Sequence, residues 1–222
     1  PWQTVPYIEY PSIGLFEGDR FDPTTWKPQT PVLAYVELRA DDAFWAARKV
    51  MAFSDDLIRA AVHTGQYSDP AAENHLAAVL IKRRDAIGRA YLPAINPVVN
   101  PTLSADGKLA FENAAVAAGF ADAPARYRAA WSRLDNATGA TTPIGETESV
   151  TPAMSAPAGV PATAGAFLEI DIRAESAQHP TWNQPVRTFF RRVGDGWKLV
   201  GLERLPDAAP AAAPPVRTSG QP

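Results

Sequence analysis

The hydrophobic period of this chain changes once, and that change limits the folds open to it. From Ala40 to Pro93 the apolar residues recur at helical spacing, whereas "AFLEIDIRA" sets Leu168, Ile170 and Ile172 against Glu169, Asp171 and Arg173 in strict alternation. Alternation of that kind is what a half-buried strand of an antiparallel sheet requires. Helices followed by strands, with no βαβ alternation, predict an α+β chain: a small three-helix unit, then an antiparallel β-sandwich-like domain.

The helices can be placed by their caps. "ADDAFWAARKVMAF" has Asp41 or Asp42 to cap the first turn and Phe44, Ala47, Val50 and Met51 at helical spacing. Ser54 starts a second, short helix, with Asp55 and Asp56 at its positive end and Gly65 to end it. Asp69 caps a third helix, with Pro70 at its first position, a stripe of Ala72, Leu76, Val79, Leu80, Ile87 and Tyr91, and a stop at Pro93.

In the β part, "VRTFFRRVGDGWKLVGLER" reads as a hairpin, because Gly194, Asp195 and Gly196 tolerate positive φ between two β-prone arms. "GKLAFEN" reads as another strand, and "ARYRAAWSRLDN" reads as strand from its neighbours although it also matches a helix face. Residues 137–165 are small, polar and broken by proline, which suggests a long connection with one short strand near Glu148.

Ahead of the helices, residues 1–39 form an aromatic, proline-rich stretch. Pro1, Pro6, Pro11, Pro23, Pro28 and Pro31 each remove an amide donor and disfavour helix, leaving an extended strap. Trp2, Tyr7, Tyr10, Phe16, Phe21 and Trp26 stand between them and bury only if the strap is draped over another surface. The expected organisation is therefore strap 1–39, three-helix unit 40–96, β-sandwich-like domain 97–205 and a disordered low-complexity tail 206–222.

Composition removes several function classes. A formal charge of -3 argues against a general nucleic-acid binder, and the absence of cysteine removes disulfides, zinc–thiolate sites and thiol nucleophiles. No apolar run reaches the length of a membrane-spanning helix, so no transmembrane segment is expected. There is no nucleophile elbow, mononucleotide loop or dinucleotide fingerprint, and His63, His75 and His179 do not fall at metal-ligand spacing. No catalytic residue and no cofactor are assigned.

Three groups of residues stand out as candidate sites. Glu17, Asp19 and Asp22 gather hard oxygen donors in one loop, a weak candidate for a calcium ion, with turn capping as the ordinary explanation. Arg83 and Arg84 interrupt the stripe of the third helix. Such arginines usually snorkel, and the sharper alternatives are ion pairs with an adjoining domain or anion contacts. Tyr127, Trp131, Trp182 and Trp197 are candidates for a ligand-stacking platform for sugar rings, with core packing as the ordinary role.

Taken together, "PWQTVPYIEYPSIGLFEGDRFDP", "ADDAFWAARKVMAFSDDLIRAAVHTGQYSDPAAE" and "LIKRRDAIGRAYL" resemble the C-terminal region of a family of large, uncharacterised, envelope-associated bacterial proteins. The resemblance implies an upstream half with kinase-like features, including an Asp-Phe-Gly stretch, which these residues do not contain. It implies an accessory, non-catalytic region of an exported protein in the cell envelope or periplasm, whose partner is the missing upstream domain of the same polypeptide. Two alternatives remain open: part of a kinase-like phosphotransferase with its active site upstream, and a carbohydrate-binding β domain.

Overall fold

The computed structural model describes residues 8–25, 30 and 32–205. Trp2, Tyr7, Trp26 and the tail 206–222 lie outside the described residues. The fold is α+β, with helices followed by two antiparallel sheets.

The three expected helices form where their caps lie. They are preceded by a one-turn α1 (Leu33–Val36), where proline density had argued against any helix. Val32 and Leu33 follow the last proline of the stretch, so the one turn meets no proline ring. In α2 (Ala40–Met51) the Asp42 carboxylate accepts the Arg39 N–H at 3.1 Å, and Phe44 and Ala47 face inward. In α3 (Asp55–His63) the Ser54 hydroxyl accepts the Leu57 N–H at 3.1 Å, and in α4 (Pro70–Tyr91) Asp69 accepts from Ala71 at 2.9 Å.

α4 is covered on several sides. Leu76, Ala77, Leu80 and Ile81 pack on Ile58 and Val62 of α3. At Gly88 the backbone comes so close to α2 that an added Cβ would lie 2.5 Å from Met51 Sδ and 2.5 Å from the Phe120 ring. A third side receives the N-terminal strap, built of successive turns rather than extended throughout. Turns close at Tyr10–Ile13, Gly18–Phe21 and Asp22–Thr25, with Pro11 and Pro23 at the second positions that favour them.

The β part holds β1 (Val98–Leu103), β2 (Lys108–Asn113), a one-turn α5 (Ala114–Ala117), β3 (Arg126–Leu134), β4 (Thr141–Ser149), β5 (Ala153–Ser155), β6 (Phe167–Glu175), β7 (Val186–Val193) and β8 (Gly196–Arg204). They make a three-stranded sheet, β1-β2-β5, and a five-stranded sheet, β4-β3-β6-β7-β8. The ambiguous segment is strand β3, and the β7–β8 hairpin turns through Gly194, at φ +56°, and Asp195.

Residues 137–165 carry more structure than a long connection with one short strand. β4 pairs with β3 at eight of its nine residues and β5 pairs with β2. Pro143 disguises β4, and it is tolerated because β4 is an edge strand whose proline needs no partner on its outer side. The inner faces share one buried cluster that includes Leu109 and Phe111 from the smaller sheet and Trp131, Ile170 and Phe190 from the larger. Phe44 and Ala47 of α2, with Leu92 and Ile95 after α4, belong to the same cluster.

The outer face of the larger sheet carries charge. Arg187 pairs with Asp171 at 2.9 Å and reaches Glu169 at 3.5 Å, while Arg126 and Arg128 share Glu148 and Glu175. Burial raises the Glu169 carboxyl above its ordinary value, with Arg187 opposing that rise. No helix among the described residues is long and apolar enough to cross a membrane.

Candidate functional site

An open groove of about 240 Å3 runs between α2, β1 and β8. Phe44, Val99, Pro101, Leu199 and Leu202 give it apolar walls, and Trp45 stands at its edge. The α2 periodicity explains the last two aromatics: Phe44 turns into the core at 1% exposure, so its neighbour Trp45 must turn outward, at 61%. In β1 a bulge at Asn100 and Pro101, with Asn100 at φ +52°, bends the strand where it lines the groove.

Arg204 closes one end. Its guanidinium lies 4.3 Å from the Phe44 ring and donates to the Asn96 carbonyl at 2.5 Å and the Val98 carbonyl at 2.6 Å, tying β8 to the start of β1. Burial, with a smaller contribution from the nearby Arg48 charge and against the pull of Asp41, pushes the Arg204 pKa down to about 10. Arg48 also reaches Asn100 Oδ1 at 3.4 Å, and Asp41 is held by Arg39 at 3.0 Å.

The lining holds no histidine, serine, threonine or lysine, and its one carboxylate, Asp41, is already paired. The groove offers apolar walls for contact, with the Arg204 guanidinium fixed at one end.

The predicted site residues fall elsewhere. Arg83 donates to the Glu17 carbonyl and lies 4.2 Å from the Phe16 ring and 5.1 Å from Phe21. Arg84 bonds Asp55 and Asp85, each at 2.7 Å, and donates to the Phe53 carbonyl at 2.7 Å. Burial works against the Arg84 charge, but the two carboxylates outweigh it and raise its pKa. Both arginines are thus engaged within the chain's own helices and strap.

Glu17, Asp19 and Asp22 do not converge. Glu17 accepts the Arg20 N–H at 3.1 Å, Asp19 pairs with Lys82 at 2.5 Å, and Asp22 accepts the N–H and hydroxyl of Thr24. Among the described residues no group of three or more such side chains is placed to hold a metal ion. The calcium candidate is corrected accordingly: each carboxylate caps a turn or pairs with a lysine.

Of the four aromatics, Tyr127, Trp131 and Trp182 are buried, at 3%, 1% and 0% exposure. Trp131 donates to the Thr147 hydroxyl and Trp182 to the Pro93 carbonyl, each at 2.8 Å, while Tyr127 accepts from Asn113. These three rings offer no stacking face to a sugar. Trp197 is half-buried and lies on a different surface from the α2 groove.

Sequence reasoning passed over Trp45, Arg48 and Arg204. The available signal was the Phe44–Trp45 pair, since adjacent aromatics on a one-faced helix cannot both be buried. No protein-family model, no curated protein and no solved structure matches this chain.

Proposed function

We propose that this chain is a non-catalytic accessory region of a larger exported bacterial protein of the cell envelope or periplasm, and that it packs against an upstream part of the same polypeptide. One observation carries the reading. None of the four residues of α1 is buried, and Val32, Leu33, Tyr35, Leu38 and Trp45 are between 44% and 73% exposed.

Apolar side chains gathered this densely along one stretch cost free energy in water and mark contact surfaces. They lie on the N-terminal elements, so an upstream part of the same polypeptide is the covering body with the highest effective concentration. The groove beside Trp45 offers an apolar seat with no catalytic pair in its lining.

The test supplies the upstream polypeptide in trans and measures association by calorimetry with the wild-type chain and with Leu33→Glu/Trp45→Glu. Removal of an exposed aromatic anchor should weaken association by about tenfold or more, with the melting temperature of the isolated chain nearly unchanged. Absence of association by the wild-type chain, or equal association by the double variant, would sink the proposal.

A further inference from the structure

A second cavity, of about 260 Å3, lies on the far side of β8, between the β7–β8 hairpin, the turn at Ser104–Lys108 and the loop 156–162. Its walls are held in place. Ala156 N–H donates to the Gly107 carbonyl at 2.8 Å, and Arg133 donates to the Gly159 carbonyl at 2.8 Å.

Arg192 and Trp197 face each other across the hairpin, with the guanidinium 5.3 Å from the indole ring. Among the described residues that guanidinium has no side-chain hydrogen bond or ion pair, and its Nε is buried with no partner at all. That Nε–H is closed off from water, so the cavity meets the guanidinium through its terminal nitrogens, which likewise have no hydrogen-bond partner among the described residues. Across the cavity stands Asp106, its carboxylate fixed by the Ser104 hydroxyl and kept ionised by that bond.

We propose that this cavity binds a small organic carboxylate carrying a hydroxyl or ammonium group, its carboxylate on Arg192, its body on Trp197 and its donor on Asp106. A guanidinium whose two terminal nitrogens are unpaired and accessible suits a carboxylate fork. An inorganic phosphate fits less well, because a dianion would meet one cation and the Asp106 charge. The turn amides give it no help either, since Gly107 N–H and Lys108 N–H are already taken up by Ser104. The volume sits just below the usual range for ligand pockets, about 300–1,000 Å3, which restricts the ligand to a few heavy atoms.

The test is a heteronuclear NMR titration of the whole chain with lactate, propionate and inorganic phosphate, reading the Arg192 Nε–H and Trp197 Nε1–H signals. Lactate should shift both saturably, propionate, which lacks the donor, should bind about tenfold more weakly, and Arg192→Lys should weaken lactate by about tenfold or more. Asp106→Asn, on a surface turn, should erase the difference between lactate and propionate whether or not the Arg192 variant folds. No saturable shift with lactate, phosphate binding as tightly as lactate, or no lactate–propionate difference in the wild type would each overturn the assignment.

Discussion

Arg83 donates twice to the Glu17 carbonyl, through Nε at 3.1 Å and Nη2 at 2.5 Å, and thereby joins the middle of α4 to the N-terminal strap. Around that contact His75 meets the Phe16 carbonyl at 3.0 Å, Tyr91 donates to the Pro23 carbonyl at 2.8 Å, and Gly18 sits over Val79 and Lys82. His75, Val79, Lys82 and Arg83 share one face of the helix, which makes this face the strap's seat.

Arg83→Ala should free the strap without unfolding the molecule. Charge-assisted hydrogen bonds contribute about 1.5–3 kcal/mol each and a guanidinium over a ring about 0.5–1 kcal/mol. The main buried cluster, however, includes no residue before Phe44. Amide exchange at residues 16–21 should therefore accelerate while the global denaturation midpoint moves by less than about 0.5 kcal/mol. Unchanged exchange there would show that Arg83 does not hold the strap.

Acid should loosen the same segment first. The Lys82 hydrogen bond and charge lower the Asp19 pKa, and the Thr24 hydroxyl and amide lower that of Asp22. A carboxyl depressed on folding contributes stability above its ordinary range, about pH 4, and loses it as pH falls through the folded value. Strap amides should lose protection between pH 5 and pH 3, both approximate bounds from the same range, before the sheets melt, and Asp19→Asn should reduce the effect. Simultaneous loss of strap and sheet signals would count against it.

Gly88→Ala sets two effects of opposite sign against each other. Alanine gains about 1 kcal/mol of helix propensity over glycine, but its Cβ would come within 2.5 Å of both Met51 Sδ and the Phe120 ring. Both side chains pack against the main core; the unbranched methionine can change rotamer, whereas the rigid ring can only move as a whole, and overpacking costs about 1–3 kcal/mol. The expected result is a net loss of about 1 kcal/mol in urea denaturation, recovered in part by Gly88→Ala/Phe120→Leu. A stabilised single variant would show that α2 and α4 have room to part.

Caps and periods made α2, α3, α4, β6 and the β7–β8 hairpin readable from the residues, because each signal lies within a few positions of the element it governs. β1 and β4 were hidden for a local reason: Asn100-Pro101 and Pro143 look like turns, and their strand pairing depends on partners elsewhere in the chain. Lys82-Arg83-Arg84 looked like a flaw in an apolar stripe. The strap and α3 that explain it lie 63 to 66 and 29 residues away, a separation no spacing rule reaches. Of the groove only the outward turn of Trp45 was legible, since Phe44 and Arg204 meet only through the fold.

Arg204 gives the last test, because its bonding and its solvation act in opposite directions. Arg204→Met retains bulk on the Phe44 ring but orphans the carbonyls of Asn96, 2% exposed, and Val98, 0% exposed, at about 1–3 kcal/mol each. Against that, the variant escapes the cost of burying a charge, so the net loss should be about 2 kcal/mol near neutral pH. The pH dependence carries a definite sign. With the folded pKa pushed down to about 10 and the unfolded value higher, the unfolded chain binds more protons above pH 10. The penalty on wild-type Arg204 is present below that pH and relieved as pH rises through it. The stability gap between wild type and Arg204→Met should therefore widen in alkali, measured by paired urea titrations. A gap that stays flat or narrows above pH 10 would mean that Arg204 keeps its charge unopposed and that its burial is not a cost the fold carries.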